Sequence, residues 1–159
     1  FMISSKSESP MDFDMNKVIE KNKDNQVFYC QYAYARASSV LKKAEAFEIF
    51  QNINNSINLF DKKDLSLYEW KIILKLLSWP FVLKQAAETK QPHRITNYLE
   101  DLCSVFHSFW NKGKDDVSLR IIDENNFSAT ISKLIWVLFF KKTLKQIFDI
   151  IDIESPETM

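Results

Sequence analysis

Glycine is nearly missing: the 159-residue chain has one, Gly113. With so few positions that adopt left-handed backbone cheaply, folds that need many tight turns, such as sandwiches and barrels, are excluded in favour of helices. The glycine-rich loops that cradle nucleotide phosphates are excluded by the same count. Proline is scarce as well, with four residues. Cysteine is limited to Cys30 and Cys103, and no secretory leader is evident, which predicts free thiols in a reducing, cytoplasmic setting. Neither charge predominates, Lys+Arg and Asp+Glu both totalling 21, so any nucleic-acid contact must be local and not the work of a bulk basic field. The longest apolar run, Leu134 to Phe140, has seven residues, far below the ~18 that cross a bilayer. The expectation is a soluble protein with no membrane partner.

Catalytic signatures are also lacking. No serine stands in a Gly-x-Ser-x-Gly elbow and no His-Glu-x-x-His pair is present. The paired carboxylates Asp115/Asp116 and Asp123/Glu124 fall in polar stretches that read as solvated loops. Cys103 and His107 are four apart on one helical face, a zinc-compatible spacing, but Cys30 and His93 have no spacing partners to complete a site, so a buried thiol beside a packed histidine is the favoured reading. No catalytic residue, metal or cofactor is expected in this chain.

What the chain has is helical periodicity. Residues 1–14 read as an irregular lead-in, and a start at Phe1 has the look of a fragment. Helical pattern begins near Asn16, breaks around Asn22 to Asn25 and resumes from Val27 to about Ala46. Phe47 to Lys63 reads as a connection. Ser66-Leu67-Tyr68-Glu69 has the spacing of a capping box, and Trp70, Ile73, Leu74, Leu77 and Phe81 continue as the apolar stripe of a helix that Pro80 should kink or divide. Pro92 suits a first helical position. Ile95, Leu99, Leu102, Phe106 and Phe109 follow a regular +4, +3 rhythm, up to Gly113, which is expected to stop the helix in the left-handed conformation. A last helix spans about Ser128 to Asp149 with Ile131, Leu134, Ile135, Leu138, Leu144, Ile147 and Phe148 inward, followed by a tail broken by Pro156. The fold class is all-α, a helical bundle of four or five helices with no internal repeat.

Two aromatic clusters stand out on this background. In Phe28 to Arg36, Tyr29, Tyr32 and Arg36 lie at i, i+3 and i+7 and share a face, with Phe28, Ala35 and Val40 turned toward burial. Planar groups at that spacing suit stacking on unpaired bases, although half-buried helix tyrosines are common and packing alone accounts for the pattern. In Phe106 to Trp110, Phe106 and Phe109 continue the core stripe while His107 and Trp110 sit beside it with room to reach outward, core packing being the safer reading for Trp110 and a contact role its near-equal alternative. Arginine is used sparingly, three against 18 lysines, which draws notice to Arg36, Arg94 and Arg120 as sites where a planar fork matters.

Together these motifs carry a resemblance. Asp24 to Arg36, Pro92-His93-Arg94-Ile95 with Tyr98-Leu99, Phe106 to Trp110 and the terminal Ser155 to Met159 are similar, in order and over almost the whole chain, to the C-terminal region of arginyl-tRNA synthetases. The resemblance implies an all-helical anticodon-binding domain of class I aminoacyl-tRNA synthetases over residues 15–159, with residues 1–14 closing the catalytic domain. It implies arginine tRNA as partner, a catalytic domain in cis, and ATP and Mg2+ as requirements of the full-length ligase alone. It assigns tRNA contact to Tyr32, as the base-stacking residue, to Arg36, as a phosphate or base-edge contact, and to Trp110 and Met159 near the anticodon loop. Lys43, near Arg36 on the same helix, is added as a backbone anchor, and Tyr29 and His107 as neighbouring candidates. Three departures stand out: Tyr34 replaces the family's usual histidine, Trp110 a tyrosine and Thr158 an arginine. The alternative is a helical protein-interaction module without nucleic-acid binding.

Overall fold

The computed structural model describes residues 25–45, 60–123 and 125–159. Four α-helices are found there, α1 (Gln26–Glu45), α2 (Leu67–Thr89), α3 (His93–Asp115) and α4 (Phe127–Ile150), with short 3-10 turns at Lys62–Asp64 and Val117–Leu119 and no strand among the described residues. The all-α bundle expected from the near absence of glycine is thus observed. The lead-in at 1–14, the helical pattern from Asn16 and most of the connection at 47–63 lie outside the described residues.

Each helix start has a local cause. Asn25 caps α1, its Oδ1 accepting from the amides of Val27 and Phe28 at 3.1 and 3.2 Å. The capping box of α2 is formed as the spacing predicts: Ser66 Oγ accepts from the Glu69 amide and Glu69 Oε2 from the Ser66 amide. Asn126 Oδ1 accepts from the Ala129 amide at the start of α4. Pro92 sits one residue before α3, already at helical φ/ψ.

The α3 stripe points inward in full, with Ile95, Leu99, Leu102, Phe106 and Phe109 all buried, each contributing about 1.5–3 kcal/mol of transfer free energy. Phe106 stacks on Phe140 of α4 at 4.3 Å, and Phe109 meets Trp136 edge-on at 5.4 Å. α1 packs on α3 and α4, and α2 chiefly on α3. α1 and α3 therefore lie side by side, which decides where their aromatics go.

Several expectations are corrected. Leu74, Leu77 and Phe81 do not face the core but are exposed; the inward stripe of α2 is Glu69, Ile72, Trp79 and Ala86. This helix is apolar on more than one side, so periodicity offered two stripes, and the true one starts on a carboxylate. Pro80 does not divide α2; it is exposed, and in the turn before it the Lys75 carbonyl accepts from Ser78 Oγ and the Tyr98 hydroxyl at 2.7 and 2.8 Å. Gly113 does not stop α3 and has no positive φ; the helix runs on to Asp115, so Lys114 and Asp115 are helical and not loop residues. Non-glycine residues take the left-handed positions instead, Lys90 after α2 (φ 53°) and Asp152 after α4 (φ 57°). Leu138 is half-buried only, while Trp136, Val137 and Phe140 are buried.

One buried ion pair was not foreseen. Lys133 of α4 donates through Nζ to the carbonyls of Ser118 and Arg120 at 2.6 and 3.0 Å and lies 3.9 Å from Glu69 Oε1. The ammonium thereby ties α2, α4 and the 117–121 segment together with both charges out of water.

Candidate nucleic-acid interface

α1 presents Tyr29, Tyr32 and Arg36 along one face, as their spacing requires, and α3 lies alongside and brings His107 and Trp110 against them. The Arg36 guanidinium is the centre of the cluster. Its Cζ is 4.2 Å from the Tyr32 ring centroid and 5.1 Å from that of Trp110, so it stands between two π-faces from two helices. Arg36 Nη2 donates to the Tyr32 hydroxyl at 3.2 Å and Nη1 to His107 Nδ1 at 3.0 Å. Arginine has five N–H donors, and the rest remain for a ligand.

His107 is buried, not outward-reaching. Its Nε2 is 3.1 Å from the Tyr29 carbonyl oxygen, and its ring lies 4.4 Å from Tyr29 and 5.9 Å from Tyr32. Burial and the neighbouring Arg36 charge hold its pKa below the usual imidazole value, against the contrary pull of the Tyr29 carbonyl. Burial pushes the Tyr29 phenol up. Phe28, expected to turn inward, is half-buried and stacks on Tyr32 at 6.4 Å with planes 7° apart; the i, i+4 spacing of the two rings is the signal that would have found it.

The tail completes the site. After Asp152 the chain turns back along α1, where Gln31 Nε2 donates to the Glu154 carbonyl at 3.1 Å. Glu157 then bridges Lys42 of α1 and Lys141 of α4, both at 2.9 Å, and these two ammoniums hold its carboxyl down at about 2. Thr158 and Met159 are set beside Tyr32, Arg36, Lys43 and Trp110 around a hollow of about 390 Å³. A second hollow of about 450 Å³ is lined by Phe28, Tyr29, Tyr32, Arg36 and His107. All seven residues named from the sequence thus border one surface, with Tyr32 and Arg36 common to both hollows. Beyond Trp110 and Lys43 a larger cleft, about 680 Å³, adds Arg120, noted for the scarcity of arginine, and Lys114, which the sequence reading had not singled out.

Tyr34, the departure at the histidine position, is buried against Phe148 at 5.9 Å. It does not line either hollow, so its change of hydrogen-bonding group bears on the core and not on this surface. Among the described residues no three His, Cys, Asp or Glu side chains converge as metal ligands. Cys30 and Cys103 are free and buried, and burial raises the Cys103 thiol. No helix among the described residues is long and apolar enough to cross a membrane.

Comparison with known proteins follows this geometry. The family described as DALR anticodon binding domain matches residues 30–159. Arginine--tRNA ligases of Bartonella bacilliformis and Rhizobium etli are each 38% identical over 99% of the chain, and that of Pelagibacter ubique is equally similar. The chain spans about a quarter of these relatives, 27% of the first. A crystal structure from Campylobacter jejuni, assigned as an arginyl-tRNA synthetase, superimposes with a TM-score of 0.75 at 23% identity, covering 99% of this chain and 32% of that one; at that identity the likeness establishes the fold.

Proposed function

This chain belongs to the DALR anticodon-binding domain family, and on that premise we propose that it holds the anticodon arm of arginine tRNA as the C-terminal part of a longer arginine--tRNA ligase. Residues 15–159 form the binding domain and 1–14 close the catalytic domain. That domain, in cis, activates arginine with ATP and Mg2+ and charges the tRNA; this part has no catalytic role of its own. The working compartment is the cytoplasm.

The observation that carries the reading is the Arg36 guanidinium held between Tyr32 and Trp110, with Lys43 and Met159 on the same rim. Unpaired loop bases stack on the half-exposed rings, Arg36 spends its remaining donors on a base edge or phosphate, and Lys43 meets the backbone. Tyr29 and His107 support the pair from beneath. Balanced net charge makes the isolated chain a weak binder, with the rest of the ligase adding affinity through linkage.

Titration with arginine tRNA and with a transcript altered only at the middle anticodon base tests the reading. A clear preference for the native cytosine supports it; equal affinity overturns it. A second reading, a protein-docking module, draws on the exposed ridge of Leu74, Leu77 and Phe81. Salt separates the two, since phosphate contacts weaken steeply with ionic strength and an apolar interface does not.

A further inference from the structure

We propose that His107 is a positioning residue, whose neutral ring fixes the Arg36 guanidinium for the anticodon strand, so that RNA binding at this surface weakens as the ring gains a proton. The inference rests on the anticodon reading and adds a pH dependence to it.

The two hydrogen bonds of His107 admit one protonation state. The Tyr29 carbonyl can only accept, so Nε2, 3.1 Å away, carries a hydrogen. The Arg36 guanidinium can only donate, so Nδ1, 3.0 Å from Nη1, keeps its lone pair. A neutral ring protonated on Nε2 satisfies both. An imidazolium presents N–H to N–H at the Arg36 contact and adds like charge at hydrogen-bond distance, while the Tyr29 bond persists. Arg36 is the partner that must move, and with it goes the alignment between Tyr32 and Trp110.

Among the groups that face the ring, the Tyr29 carbonyl alone favours the cation. From α1 the ring faces Arg36, Tyr29 and Tyr32. On α3 its neighbours are Cys103 one turn back and the neutral Ser104, Ser108 and Asn111, which line the same hollow. No carboxylate is among these groups. Burial and Arg36 both oppose the charge, which sets the transition below the ordinary histidine range of about 6.5.

The test measures affinity of the 159-residue chain for an arginine anticodon stem-loop at constant ionic strength from about pH 7.5 to about pH 5. Nitrogen-15 imidazole shifts of the free protein are recorded over the same range, with far-UV circular dichroism to confirm folding. The expected result is an Nε2–H tautomer at neutral pH and binding that weakens in step with the observed protonation of the ring, by roughly tenfold between its neutral and protonated forms, the equivalent of one charged hydrogen bond. In His107→Gln, which accepts from Arg36 but does not titrate, binding is a few-fold weaker and independent of pH. Binding by the native chain that is flat or tighter on acidification, an Nδ1–H tautomer, or a pH dependence retained in the glutamine variant overturns the proposal. Absence of binding by the native chain at neutral pH brings down the anticodon reading and this inference together; binding without the pH effect removes the inference alone.

Discussion

Tyr32 and Arg36, one helical turn apart on α1, are joined twice: the guanidinium lies 4.2 Å from the phenol ring centroid, and its Nη2 donates to the phenol oxygen at 3.2 Å. The ring is therefore held in place on one face by an arginine that is itself held by His107 and Trp110. A base that stacks on Tyr32 meets a surface already ordered, so little side-chain entropy is lost on binding.

Removing the ring tests this surface directly. Base–aromatic stacking is worth ~1–3 kcal/mol, so Tyr32→Ala should weaken arginine-tRNA binding by about fivefold to over a hundredfold. Tyr32→Phe keeps the stack and loses only the Arg36 bond, a change of about 1 kcal/mol. Fluorescence anisotropy on a labelled anticodon stem-loop reads both, and an unchanged affinity in the alanine variant would remove Tyr32 from the interface.

Arg36→Lys separates shape from charge. Lysine keeps the cation but has no planar fork to fit between Tyr32 and Trp110 or to reach His107. Affinity should fall by roughly tenfold or more, while the slope of log affinity against log salt stays that of the native chain. A slope reduced by about one instead indicates that lysine loses a phosphate contact as well.

Lys133→Met leaves the Glu69 carboxylate buried without its cation and strips a donor from the Ser118 and Arg120 carbonyls. Loss of one partner of a buried pair costs about 3–5 kcal/mol. Urea unfolding should show a midpoint shifted accordingly; a shift below about 1 kcal/mol means that water reaches Glu69.

What the sequence revealed and concealed has a physical pattern. The α3 stripe was legible because a helix apolar on one face leaves a single solution, and the Tyr32/Arg36 face followed from the same geometry. The α2 stripe was not, because that helix is apolar on several sides and its inward row includes Glu69. The convergence of His107 and Trp110 on Arg36, and of Glu157 on Lys42 and Lys141, depends on which helices are neighbours, and no local spacing encodes that. Family resemblance placed Trp110 and Met159 at the site; periodicity alone left them unassigned.

Gly113 tests the corrected helix end. At a left-handed stop, alanine would be strained, but Gly113 is helical and an added Cβ would lie 3.5 Å from the Leu119 carbonyl oxygen, an ordinary contact. Gly113→Ala should therefore stabilise by about 0.5–1 kcal/mol. A thermal midpoint raised by roughly 1–4 °C is the expected reading, and a lowered midpoint would restore the left-handed stop.

The tail is held by charge, and its attachment should follow pH and salt. Glu157 has a folded pKa of about 2 because Lys141 and Lys42 donate to it, against an ordinary value of about 4.3. A carboxyl whose pKa is depressed on folding contributes above the ordinary value and loses that contribution as pH falls through the folded one. Attachment of Ser155 to Met159 is accordingly complete at neutral pH and is lost between about pH 4.3 and about pH 2. Glu157→Gln abolishes the ionic contacts at any pH, and because both pairs are at the surface, added salt should mimic the variant in part. Hydrogen exchange of the 153–159 amides reads the release, faster in the variant and in high salt. Since Met159 borders the hollow beside Arg36, the same variant should weaken anticodon binding; fast tail exchange with unchanged affinity would place Met159 outside the RNA contact.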